Sequence, residues 1–108
     1  MYDEDRKYRY AVNKALYKLA RSYDENKGWR CSSKQLDEVA RIIRQGGWSV
    51  SVKSSILESI QRKIKTIYPH TENIAQHIAE NAVKRLEYRL PHGVPSSPHN
   101  FAYLGNFV

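Results

Sequence analysis

Cysteine is nearly absent from this sequence, which contains only Cys31. An internal disulfide is therefore excluded, and a single thiol is typical of proteins from a reducing compartment. Long apolar runs are also lacking, because no stretch of about 18 apolar residues occurs and residues 1–10 are rich in charge. We therefore expect no membrane span, no secretory signal and no membrane partner, and we predict a cytoplasmic location.

Motifs that carry catalysis or bind cofactors are also missing. The glycine pair that begins at Gly46 is not followed by the Gly-Lys-Ser/Thr of a phosphate-binding loop. His70 and His77 are seven residues apart, whereas metal sites usually show closer pairs or Cys/His clusters. The acidic residues of the later helical stretches have no nucleophile or base paired with them. We therefore expect a protein that is not an enzyme and holds no metal or cofactor.

Positive charge is in excess, and it is confined to one part of the chain. The 108 residues include 18 Lys and Arg against 11 Asp and Glu, which gives a net charge of +7 and an isoelectric point near 9.6. Residues 90–108 contain no charged side chain and hold three of the four prolines. We therefore predict a helical domain over 1–90 and a proline-rich tail over 91–108 with an aromatic end.

The first half of the chain has the apolar spacing of two amphipathic helices. Residues 4–24 repeat apolar side chains at intervals of three and four, and Gly28 is placed to end this helix in a left-handed cap. Ser32 and Gln35 have the spacing of a capping box, so a second helix is predicted to begin after Ser32. The glycine pair from Gly46 ends it.

The second half predicts two further helices. Ser55 and Glu58 form another capping box, and the helix opened there ends before Pro69, because a proline moves the preceding residue out of helical conformation. Thr71 is the expected N-cap of a fourth helix that ends at Pro91. The predicted fold class is therefore all-α, with about four helices in a small bundle and an optional short strand near 48–53.

Residues 48–53 alternate apolar and polar side chains, which is the periodicity of a strand. With the two helices behind it, this segment makes residues 48–86 resemble a ribbon-helix-helix DNA-binding unit. The resemblance implies two chains that pair their strands into a ribbon for the major groove of DNA. The alternative, which we prefer, is a four-helix bundle with a kinked linker at 46–54. A bundle of this size can stand alone, whereas the ribbon needs a homodimer.

The resemblance also implies roles for individual side chains. The outward side of the ribbon would face bases, and the start of the second helix near Thr71 would meet phosphate. The alternate strand residues would form the dimer core. The residues expected to face bases are Ser49, Ser51 and Lys53, and those expected in the dimer core are Trp48, Val50 and Val52.

Cations are interleaved with tyrosines along the first predicted helix. Lysine and arginine neutralise phosphates and release counterions, and exposed tyrosine rings stack on unpaired bases. We expect Tyr10 and Tyr17 to be exposed, whereas Tyr8 and Tyr23 fall on the apolar stripe and are predicted core residues. The third helix is predicted to carry a second exposed basic face. The candidate residues are Lys14, Lys18 and Arg21 on the first helix and Arg62, Lys63 and Lys65 on the third.

These patterns support two functional hypotheses. The first is a small basic protein that binds DNA or RNA, as a regulator or as an accessory subunit of a nucleoprotein complex. The alternative is an adaptor or inhibitor that docks on an acidic protein surface. The apolar end of the tail is expected to pack against the body or a second subunit, or to dock on a larger partner. Its candidate partner-binding residues are Phe101, Tyr103, Leu104 and Phe107.

Overall fold

Four helices make up most of the chain in the computed structural model, which describes residues 2–90 with side chains from Arg6 onward. The helices are α1 (Tyr2–Arg21), α2 (Ser33–Gly46), α3 (Val50–Ile67) and α4 (Ala75–Glu87). Single 3-10 turns lie at Glu25–Lys27 and Pro69–Thr71. The all-α prediction is therefore confirmed. Within the described residues no helix is both long and apolar enough to cross a membrane.

The optional strand is absent from the part of the chain that the structure describes, because α3 begins at Val50. The Ser49 hydroxyl accepts a hydrogen bond from the backbone N–H of Val52 at 3.2 Å, which makes Ser49 the N-cap. From Val52 onward, apolar residues recur every four positions, and each is at most 1% exposed. These residues are Val52, Ile56, Ile60 and Ile64.

The resemblance to a ribbon-helix-helix unit is consequently wrong. That fold needs a β-strand, whereas residues 50–53 belong to the first turn of α3. Val50 and Val52 do not share a buried face, since Val50 is 82% exposed and Val52 is buried in the core of its own chain. The alternation of apolar and polar residues at 48–53 is short. The Ser49 N-cap and the longer helical period after it favour a helix over a strand here.

The predicted helix boundaries are confirmed at some positions and wrong at others. The Ser32 hydroxyl caps α2 through the Gln35 N–H at 3.4 Å, as expected. Gly28 takes a left-handed conformation, φ 70°, but it ends the 3-10 turn at Glu25–Lys27, since α1 has already stopped at Arg21. Thr71 lies inside a 3-10 turn, and α4 begins later.

The core is formed by consecutive helices that pack against each other, α1 with α2 and α3 with α4, and α1 also packs against α3. Tyr8 and Tyr23 are buried, as predicted, and the Tyr8 hydroxyl donates to the carbonyl of Ile43 at 3.1 Å. Ile74 is 43% exposed because it precedes α4. The largest completely buried aliphatic residues are Leu16, Leu19, Leu36, Ile43, Ile56, Ile60, Ile64 and Leu86.

An ordered loop over residues 22–32 fixes the end of α1. Asp24 and Arg30 form an isolated antiparallel bridge, which turns the chain back on itself. Trp29 has a positive φ of 59° and packs edge-on against Tyr68, with ring centroids 5.2 Å apart. The Tyr68 hydroxyl lies 3.2 Å from the carbonyl of Arg21, to which it donates. The last turn of α1 is thereby held against the end of α3.

Candidate functional site

One side of α1 carries cations and tyrosines together. No acidic residue occurs between positions 6 and 23, a segment with six lysines and arginines. Spacings of three and four place most of these cations beside two tyrosines on the solvent side, opposite the buried stripe of the helix. We call this surface the α1 face, and all its members are exposed. They are Lys7, Tyr10, Lys14, Tyr17, Lys18 and Arg21.

The cations of the α1 face form no ion pair with the described carboxylates, although Lys18 adds to the effect of Arg41 in lowering the pKa of the Glu38 carboxyl. Ion pairs among the described side chains join Arg41 to Glu38, Lys53 to Glu87, Arg62 to Glu58, His70 to Glu25 and Arg89 to Asp37. Within this described part of the molecule, none of those pairs includes a lysine or arginine of the α1 face. Its charge is therefore available to an anionic partner.

A groove of about 690 Å³ runs between α1 and α2, beside the α1 face. Small and apolar side chains line its base, among them Ala11, Ala15 and Ile42. Three lysines of the α1 face form one wall, and Arg41 of α2 stands on the other. Glu38 is paired with Arg41 at 2.6 Å, and this hydrogen-bonded guanidinium lowers the pKa of the Glu38 carboxyl. The three wall lysines are Lys7, Lys14 and Lys18.

Tyr17 connects the α1 face to α3. The Lys63 ammonium lies 4.6 Å from the centre of the Tyr17 ring, and the Arg21 guanidinium lies 5.6 Å from it. Lys63 is only 6% exposed and donates to the Ser59 hydroxyl at 2.7 Å. Burial lowers the pKa of the Lys63 amine. The prediction that Lys63 is exposed was therefore wrong, because it continues the inward side of α3, one turn after Ser59.

The other basic residues predicted on α3 do not form a common surface. Arg62 pairs with Glu58 at 2.9 Å one turn away, and Lys65 is exposed near the end of the helix. Lys53 pairs with Glu87 of α4 at 3.1 Å. Ser49 is occupied as an N-cap, while Ser51 is an exposed residue of the first turn of α3. The structure thus brings together the predicted residues of α1 and separates those of α3.

Among the described residues, the remaining candidates form no second site. His70 contacts Glu25 at 3.2 Å. Within residues 6–90, no three His, Cys, Asp or Glu side chains are arranged to hold a metal ion. The predicted partner-binding residues of the tail, which follow position 91, lie outside the described part of the chain. They are Phe101, Tyr103, Leu104 and Phe107.

Two residues of the site are not among the predicted nucleic-acid-binding residues. The helical spacing already places Lys7 on the basic side of the first helix, seven residues before Lys14, so the sequence carried the signal for it. Arg41 carried no such signal, because its place beside the α1 lysines depends on the packing of α2 against α1.

Comparisons with protein-family models, curated proteins and solved structures gave no match.

Proposed function

We propose that this protein binds nucleic acid through the α1 face, as a regulator or an accessory subunit of a nucleoprotein complex. The observation that supports this most strongly is the run of four cations with no carboxylate partner among the described side chains, interleaved with two tyrosines. Each lysine or arginine that neutralises a phosphate releases counterions, and this release drives sequence-independent binding. The lone buried Cys31 supports a reducing, cytoplasmic compartment for this activity.

The salt dependence of binding tests this proposal. Reversing three charges together, in the variant Lys14→Glu/Lys18→Glu/Arg21→Glu, should weaken binding to duplex DNA, single strands and structured RNA. The slope of log K against log salt concentration should decrease in magnitude by roughly two to three, since each phosphate contact contributes about 0.7 to 0.9 to that slope. Fluorescence anisotropy over a salt series measures both quantities.

A matched variant controls for net charge. Lys27→Glu/Lys34→Glu/Lys84→Glu changes the net charge by the same amount at exposed positions outside the α1 face. This control should keep most of the affinity and the steep salt dependence. Equal losses in the two variants would show that only total charge matters, and absence of binding to every nucleic acid would contradict the proposal. In the latter case, binding of the α1 face to an acidic protein would favour the adaptor role.

A further inference from the structure

We infer that the ligand of the α1 face is a single strand of nucleic acid, with its phosphates along the lysines and a base stacked on Tyr10. This inference rests on the nucleic-acid binding proposed above and names its substrate class. Three features of the described residues carry it: the narrow groove beside the lysines, the difference between the two tyrosines, and the length of the face.

The groove favours a single strand over a duplex. Packed helices lie about 8–10 Å apart, so the trough between α1 and α2 is narrower than a double helix. A recognition helix must also project from its domain to enter a major groove. The α1 helix is instead flanked by α2 on one side and α3 on the other, and only its outer side is exposed. A duplex would therefore meet only the outer side of α1, whereas a single strand can follow the lysines along the edge of the trough and reach Tyr10, which lies outside the trough on the other side of those lysines.

The two tyrosines of the α1 face are not equivalent. Tyr17 is 36% exposed, and its ring already contacts both Arg21 and Lys63. Tyr10 is 68% exposed, and among the described side chains none makes a ring contact with it. A base can stack on an exposed ring only when it is unpaired, because the bases of a duplex are already stacked on each other. Tyr10 is thus the stacking residue, and Tyr17 is a support that holds two cations.

The length of the face sets the size of the ligand. From Lys7 to Arg21 the helix axis advances about 21 Å, at 1.5 Å per residue. At about 3.4 Å per stacked nucleotide in one strand, this distance corresponds to roughly six nucleotides. Stacking on one aromatic ring is worth a 5- to 150-fold change in affinity, on the order of the 1–3 kcal/mol per base measured by alanine substitution.

Substitution of Tyr10 in the full chain tests the inference. Anisotropy is measured with a labelled single strand of about twelve nucleotides, as DNA and as RNA, and with the duplex of the same sequence. The single strand should bind more tightly than the duplex. Tyr10→Ala should weaken single-strand binding about 5- to 150-fold and leave duplex binding and the salt slope unchanged. Tyr10→Phe, which keeps the ring, should retain the affinity.

Tyr88→Ala is the matched control, because Tyr88 is 85% exposed at the end of α4, outside the α1 face. Its affinity for the single strand should equal that of the unmodified protein. If the duplex binds as tightly as the single strand, or if Tyr10→Ala has no effect, the inference is overturned while the proposed function stands. If no nucleic acid binds at all, both are overturned.

Discussion

Lys63 shows how one side chain can be misplaced when only its charge is considered. The residue lies on the inward side of α3 with no carboxylate among the described residues in ion-pair contact with it. The Ser59 hydroxyl and the face of Tyr17 take the place of a counterion. The helical period of α3 could have placed Lys63 beside Ile60 and Ile64. The prediction of exposure followed the charge of the lysine rather than this helical position, and it was wrong.

Tyr23 is expected to make the protein sensitive to alkali. Burial raises the pKa of its phenol far above the ordinary value near 10, and the nearby Cys31 adds to this effect. Above that ordinary value the unfolded chain loses a proton that the folded chain keeps, so stability falls as pH rises, by about 1.4 kcal/mol per pH unit. The Cys31 thiol, whose pKa burial also raises, acts in the same direction.

The variant Tyr23→Phe measures this contribution. At pH 7 it should be about 1 kcal/mol less stable, because it loses the 3.4 Å hydrogen bond from Tyr23 to the Ile78 carbonyl. As pH rises above about 10, the difference should shrink and then reverse, since phenylalanine has no proton to retain. Urea unfolding followed by circular dichroism at pH 7, 10 and 11 gives the comparison.

Lys63 also makes stability depend on pH, but it does so equally in the unmodified protein and in Tyr23→Phe. Burial lowers the pKa of its amine, so stability rises with pH between the lowered value and the ordinary 10.5. This effect has the opposite sign to that of Tyr23, and it cancels when the variant is compared with the unmodified chain. A stability difference that stays constant from pH 7 to pH 11 would contradict the role given to Tyr23.

At the scale of the helices, the start of α3 is the clearest test of the fold. Ser49→Ala removes the hydroxyl that accepts the Val52 N–H, and it should cost about 1 kcal/mol. Ser51→Ala is the matched control, because Ser51 is an exposed serine two residues further on, inside α3. That change should alter stability by less than about 0.5 kcal/mol. Thermal or urea unfolding measures both, and equal effects would be incompatible with an N-cap at Ser49.

Helix identity was predictable from the sequence, whereas some boundaries were not. The apolar stripes and Pro69 located all four helices because burial on one side of a helix leaves a period that a single sequence shows. Ser55 and Glu58 have the spacing of a capping box, yet they lie inside α3, where Ser55 donates to the Ser51 carbonyl at 3.0 Å. Such a spacing indicates a cap only where the preceding residues are not helical, and that depends on the packing of Val52.

At the scale of the whole molecule, the buried core residues that the structure describes all lie between positions 8 and 90. Leu90 is 4% exposed and completes the core after α4, while Arg89 ties this end to α2 through Asp37 at 2.6 Å. Arg44 of α2 donates in return to the Arg89 carbonyl. We therefore propose that residues 1–90 are the folding unit, as the division of charge along the sequence predicts.

A shortened chain tests this division. A protein that stops after residue 93 should keep its helical circular dichroism and melt within a few degrees of the full chain. Leu90→Ala in the full chain is the comparison, and it should lose about 2–5 kcal/mol because it opens a cavity in the core. A large drop in Tm on shortening the chain would show that the tail belongs to the folding unit.

The candidate site was predictable only where it lies on one helix. Lys14, Lys18 and Arg21 share a side of α1, so their spacing sufficed to group them. The groove also needs Arg41, which a single sequence cannot place because it comes from another helix. The expected basic surface of α3 failed because Lys63 is buried and Arg62 pairs with Glu58 of its own helix. Lys53, which was expected to face bases, is paired with a carboxylate from α4. Contacts between helices decide which charges remain available.

The packing of consecutive helices also bears on how the chain reaches its fold. Because α1 packs with α2 and α3 with α4, most contacts join segments that are close in sequence. Domains of this kind fold in microseconds to milliseconds. A ribosome adds only about 5–20 residues per second. Folding of the four helices is therefore expected to be fast compared with the addition of each residue, so that synthesis, rather than folding, sets the time at which the cationic side of α1 is complete.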